Sequence, residues 1–301
     1  CGDVNFVDDD FTYVLIFNKK MREAYAKTVA DPYQTVRDWE WTLDYFNKII
    51  QGVSADNGDG KWTVDDYYGI SGWGWVPLIT FITSCDMKIV DRDEDTGRYY
   101  VAYEDNTEKM LSLIDKVTTM YKANYSYMWP SVNYTALKFA EGHSLFQLYS
   151  TTGLISLATE KIRFGVLPYP KFDEKQENYR SLNWNGLMGV PASVSKAGNP
   201  QMVGEVLELL GYYTGTVKTA YYELQLGAKV SEAQEDADML DIIWKSLVSD
   251  IGLVCCNSSG SMDNLVYMLP MICESPKKNF SSFMRSNKDS AQKGLDKVFK
   301  Q

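Results

Sequence analysis

The residues best suited to holding a ligand stand together in YYGISGWGWVPLITF (67–81), where only Gly74 separates Trp73 from Trp75. Two indole rings so close together admit two uses. They can plug the end of a sheet, or they can stack on the apolar face of a sugar. The residues alone leave both open. A second candidate is SADNGDGKWTVDD (54–66), which can be laid on a calcium loop with Gly60 in the sixth position. Asn57, Asp59 and Asp66 then fall on oxygen-ligand positions. Ala55, however, occupies the first ligand position, and Asp66 is shorter than the usual bidentate Glu. The expectation is weak calcium binding or none, with a plain Asn-Gly/Asp-Gly turn as the alternative. Catalysis has less support. A Ser-His-Asp or Cys-His arrangement would have to use His143, the only histidine, which follows a turn glycine in FAEGHSLF. Asp65 and Asp66 are adjacent in sequence, which does not present two carboxylates across a cleft. There is no Gly-rich phosphate loop.

Composition narrows the partners. The chain has 301 residues, 45% of them hydrophobic, and a formal net charge of -10, enough for one large or two medium domains with real cores. An acidic chain without a Lys/Arg stripe repels phosphate, which argues against nucleic acid. The 21 tyrosines and 8 tryptophans suit carbohydrate or peptide recognition as well as packing. The five cysteines (Cys1, Cys85, Cys255, Cys256, Cys273) contain no CxxC and are odd in number, so reduced, structural thiols are expected. No apolar run approaches the roughly 18 residues of a membrane span.

Short strands alternate with amphipathic helices. FTYVLIFN (11–18) is apolar without alternation and predicts a strand buried on both faces. SLFQLYS (144–150) and FGVLPYP (164–170) predict further strands, and MGVPASV (188–194) an extended segment. Helices are predicted over 19–27, 41–53 (capped by Thr42), 109–121, 200–215, 235–252 and 288–301, with a hairpin or surface excursion over 91–105. The alternation predicts an α/β architecture.

The order of segments resembles extracellular solute-binding proteins of family 1, the maltose-binding-protein-like carbohydrate-binding proteins of ABC transporters. The resemblance runs through VLIFNKKM, DPYQTVRDWEWTLDYFNKI, DNGDGKWTVDDYYGI, FAEGHSLFQLYS, IRFGVLPYPKFDEKQENY, GLMGVPASV and AYYELQLGAKVSEAQEDADMLDIIW. It implies a periplasmic-binding-protein-like (type II) two-lobe fold, with one lobe complete and the other partial. Residues 1–11 would be a crossover segment, 12–182 the complete ligand-binding lobe, 183–245 the partial second lobe, and 246–301 helices packing across both. Family members carry further residues ahead of the FNKK strand, forming most of the first lobe. The helix at 200–215 would then present Val203, Val206, Leu207 and Leu210 to strands outside this chain.

The resemblance also implies a function: capture of a carbohydrate, an oligosaccharide by preference, in an interlobe cleft for delivery to ABC-transporter membrane subunits. The protein would be extracellular or periplasmic, anchored as a lipoprotein by a segment outside this chain, and would need no cofactor. Trp73 and Trp75 become cleft residues. Trp184, before the return crossover, is the next candidate, with Asn183 and Asn185 as amide partners and Tyr149 at the end of its strand. The competing class is a carbohydrate hydrolase with tryptophan-lined subsites.

Overall fold

The structure is a computed structural model and describes residues 11–124, 126–129, 132–157, 160, 162–184, 190–219, 234–256, 259–275 and 277–301. Its first strand, β1 (Tyr13–Asn18), runs into the helices α1 (Lys19–Ala24), α2 (Pro32–Arg37) and α3 (Leu43–Gln51). Next come β2 (Tyr68–Trp73), α4 (Val76–Ser84), the hairpin β3 (Val90–Arg92) and β4 (Tyr99–Val101), and α5 (Thr107–Lys122). β5 (Ser126–Trp129), α6 (Val132–Ala140), β6 (Ser144–Ser150), α7 (Thr151–Leu157), β7 (Phe164–Leu167) and β8 (Ser181–Leu182) follow. The remaining elements are α8 (Ser193–Lys196), α9 (Pro200–Thr219), α10 (Gln234–Lys245), β9 (Leu247–Val248), α11 (Ile251–Val254), α12 (Gly260–Val266), α13 (Met268–Glu274) and α14 (Phe280–Phe299).

β1 lies inside a five-stranded sheet of order β5-β2-β6-β1-β7. It is antiparallel to both neighbours, with Leu15 opposite Leu148 on one side and Leu167 on the other. β2 runs parallel to β5 and β6. Val14, Leu15, Ile16 and Phe17 are all buried, as a run without alternation requires when both faces are covered. Leu15 and Phe17 join the larger core with α3, α4 and α5, whereas Val14 and Ile16 face a smaller one with Phe139, Leu154, Leu240 and Ile243.

The helix limits have local causes. Thr42 caps α3 by accepting a hydrogen bond from Tyr45 N, and Asn18 caps α1 in the same way through Met21 N. The helix predicted over 235–252 is interrupted. It ends at Lys245 because Ser246 turns the chain into β9, and Asp250 then caps α11. The Asp250 carboxylate also accepts from Ile89 N and Val90 N, fixing the start of the β3–β4 hairpin. The segment predicted to extend through 194 instead enters α8 at Ser193. Asp236 of α10 is fully buried and receives three donors: Lys19 Nζ at 2.8 Å, Tyr33 OH at 2.5 Å and Val166 N at 3.1 Å. Those contacts tie α10 to β7, α1 and α2. By contrast, α9 touches chiefly α8 and exposes Met202, Val206, Leu209, Leu210, Tyr212 and Tyr213, while Val203 and Leu207 are half-buried.

The glycines of β2 are positions of close approach. A Cβ at Gly69 would lie 2.0 Å from the Ile50 carbonyl oxygen, and one at Gly72 would lie 2.9 Å from Leu148 Cβ. Gly69→Ala should therefore push α3 off the sheet and cost about 1–3 kcal/mol. Gly204, within α9, has nothing within 4 Å, so Gly204→Ala should stabilise by about 0.5–1 kcal/mol through helix propensity. Urea unfolding of the two variants should show shifts of opposite sign.

Candidate functional site

All five strands bring one set of ends to the same edge. β2 ends there at Trp73, β5 at Trp129, β6 at Ser150 and β7 at Leu167, while the antiparallel β1 begins there at Tyr13. In open α/β sheets this carboxyl edge is where ligands bind. Three chain segments cross beside it. Thr12 bridges Asn183, Trp184 N donates to Phe11 O at 3.1 Å, and Asn183 N donates to Val248 O at 3.2 Å. β8 and β9 pair alongside, with Ser181 N donating to Ser246 O at 2.9 Å.

The crossing gathers aromatic rings. Trp75, the residue before α4, lies edge-on to Tyr267 with centroids 5.7 Å apart. Trp184 lies on the same Tyr267 at 6.2 Å. Tyr13 and Tyr267 pack against the same core, and burial first and Tyr267 second push the Tyr13 pKa up to about 12. Trp75, Trp184, Tyr13 and Tyr267 are all half-buried. Half-exposed rings gathered at one edge can stack on a flat apolar surface such as a sugar face.

The expected residues therefore separate. Trp75 and Trp184 are brought together through Tyr267. Trp73 is half-buried at the end of β2 and makes no ring contact among the described residues. Gly74, between the two tryptophans, lets the Tyr121 ring close in to 3.2 Å from where a Cβ would sit, so this glycine serves packing rather than looseness. Tyr149 does not offer its ring to the edge. It is 8% exposed, packs in the smaller core with Leu154 and Leu157, and lies over Gly153. The cause is strand alternation, which turns Tyr149 to the α7 side. Asn183 is buried in the crossing, and its side-chain Oδ1 has no hydrogen-bond partner among the described residues. Asn185 lies outside the described residues. Tyr13 and Tyr267 escaped sequence reasoning, because each sits in an apolar run (FTYVLIF, NLVYMLPM) that reads as core.

The other candidates have structural roles. Asp66 is buried, and its carboxylate accepts from Asn57 N at 2.8 Å and from Thr63 N. Asn57 and Asp59 use their side chains on Asp59 N and Lys61 N. Among the described residues no cluster of three His, Cys, Asp or Glu could hold a metal. His143 stacks on Tyr67 (5.7 Å, 20°) and bonds through Nδ1 to the Asp66 carbonyl, at the far end of the sheet from the tryptophans. Among the described residues Cys85, Cys255 and Cys273 are free thiols, and burial pushes the Cys85 thiol up to about 12 and Cys273 to about 11. No described helix is long and apolar enough to cross a membrane.

Hydrogen bonds from Thr63 first, then Asn57, hold the Asp66 carboxyl below its usual range. A depressed carboxyl contributes stability above the unfolded value, near 3.9, that is lost as pH falls through the folded one. Asp66→Asn should therefore be less stable than the parent at about pH 6, with the gap closing toward about pH 3. Urea midpoints across that range check it; a gap that does not change with pH would assign Asp66 no ionic role.

The fold has known counterparts. The maltose/maltodextrin-binding domain MalE of Bdellovibrio bacteriovorus, bound to maltotriose, superposes with a TM-score of 0.58 at 13% identity, over 97% of this chain and 71% of that one. The GacH receptor of Streptomyces glaucescens, solved unliganded and with acarbose, gives 0.59 at 12% identity, over 95% and 69%. A Streptococcus pneumoniae solute-binding protein in complex with the blood group A-trisaccharide gives 0.53 at 14%, over 95% and 70%. No family profile matches the chain, and neither does any curated protein sequence. The fold is thus periplasmic-binding-protein-like, type II, in a partial two-lobe form.

Proposed function

We propose that this chain is the substrate-binding component of an ABC transporter, capturing an oligosaccharide at the aromatic edge of the sheet. The observation that supports it most is the Trp75–Tyr267–Trp184 group. These rings come from three distant parts of the chain, meet where the segments cross, and stay partly open to solvent. Rings held for packing alone would be sealed, as Trp41 is: it is fully buried and donates from Nε1 to Pro168 O at 3.0 Å. All three structural neighbours named above were solved with oligosaccharides or acarbose.

In this reading residues 12–182 form one lobe together with α10, whose Leu240 and Ile243 share a core with Val14 and Ile16, so the second lobe is represented by the part of 183–245 ahead of α10, with the helices of 246–301 packed on the first lobe. Closure about the crossing would trap the sugar, a hinge motion of the kind known for two-lobe binders. Membrane subunits would receive it, and the protein would work outside the cytoplasm, anchored through a segment beyond this chain. Trp73, at the end of β2, would extend the platform.

Maltotriose, acarbose and blood group A-trisaccharide form the test panel, with calorimetry and product chromatography as readouts. At least one should bind without turnover. Trp75→Ala and Trp184→Ala should each weaken it at least about tenfold while costing about 1–2 kcal/mol of stability, against about 3–5 kcal/mol for Trp41→Ala. Affinity unchanged in both variants, silence toward all three sugars, or released hydrolysis products would contradict the reading; the last would favour a hydrolase.

A further inference from the structure

At the opposite end of the sheet, a cavity of about 560 Å³ opens between α1, the α6–β6 turn and the strand start at Arg163. It is distinct from the aromatic edge, because β1 points its last residue into it and its first residue at the crossing. Its walls are mostly apolar, from Met21, Ala24, Tyr25, Ala140 and Ile162, with Tyr67 as a second ring. That size and lining fall within the range of small-molecule sites.

Asn18 stands at its base. The residue is 5% exposed, and its side-chain oxygen accepts from Met21 N. Its amide nitrogen makes no hydrogen bond to a described residue and lies at the Gly142 end of the cavity, 3.8 Å from where a Cβ on that glycine would sit. A nearly buried donor left open in this way points at whatever fills the space. Gly142, at φ +89°, turns the chain there without a side chain of its own.

The surplus charge is positive, although the chain is acidic. Of the paired lysines in FNKK, Lys19 turns inward to Asp236 at 2.8 Å. Lys20 lines the cavity, exposed, with no carboxylate partner among the described residues. The acidic groups nearby are already engaged: Glu141 with Lys138 at 2.8 Å, and Glu23 with Arg163 at 3.8 Å. We infer that this cavity binds a small organic anion, its charged end against Lys20 and the Asn18 amide, its apolar or ring body between Tyr25, Tyr67 and Ile162.

Benzoate is the probe, with benzyl alcohol as its uncharged comparator and inorganic phosphate as its bodiless one. Calorimetry on the full chain should show one benzoate bound with a Kd below about 1 mM. Benzyl alcohol should bind at least about tenfold more weakly, and Lys20→Gln should cost benzoate a similar factor. Ala24→Leu, an exposed helix position that fills the space, should abolish binding. Both variants should keep the parental melting temperature, since neither side chain is buried. No heat from benzoate, or affinity unchanged in either variant, would overturn the proposal. Phosphate binding that Lys20→Gln weakens and Ala24→Leu leaves intact would also overturn it, by showing a place for an ion alone.

Discussion

Everything in the lobe hangs on β1 being covered on both faces and bonded along both edges. A strand in that position must be apolar throughout, so its four inner residues divide between two cores and oblige helices to cover both sides. Because β1 runs against its neighbours, its first residue meets their last ones. The chain therefore enters the lobe at the very edge where β2, β5, β6 and β7 leave the sheet. That geometry brings Thr12 to Asn183 and packs Tyr13 against the same core as Tyr267.

The aromatic edge follows from the same constraint. Trp75 belongs to the strand-to-helix turn after β2, Trp184 to the segment leaving β8, and Tyr267 to the junction of α12 and α13. Nothing in their sequence separation relates them; the crossing does. The helices after Asp250 pack on α4, α5 and the β3–β4 hairpin, and this holds Tyr267 over the edge. Asp236 does the equivalent work on the other side, where three donors to its buried carboxylate fix α10 against the sheet.

Legibility in the sequence was uneven for physical reasons. β1, β6, the Thr42 cap and the 91–105 hairpin were readable because apolar runs and cap residues act locally. The break at Ser246 was not, since the pairing of β9 with β8 is long-range and overrides a helical pattern. Trp75 and Trp184 could be singled out as rings, and the resemblance pointed to an edge. Tyr267 and Tyr13 could not, because an apolar run does not say which of its aromatics meets solvent. Tyr149 misled for the opposite reason: the end of a strand reaches the edge, but alternation decides which way the ring turns. Nor does the sequence say that Gly69, Gly72 and Gly74 are positions of close approach, since the atoms that meet them come from Ile50, Leu148 and Tyr121.

The central claim is that the crossing edge is the ligand surface. Hydrogen exchange, compared with and without whichever of the three oligosaccharides binds, tests it most directly, because it reports location without altering a residue. The account predicts slower exchange at Trp73–Val76, Asn183–Trp184 and Tyr267–Met268, with the β3–β4 hairpin and α14 unchanged. Slowing confined to other segments, with those three unaffected, would contradict it.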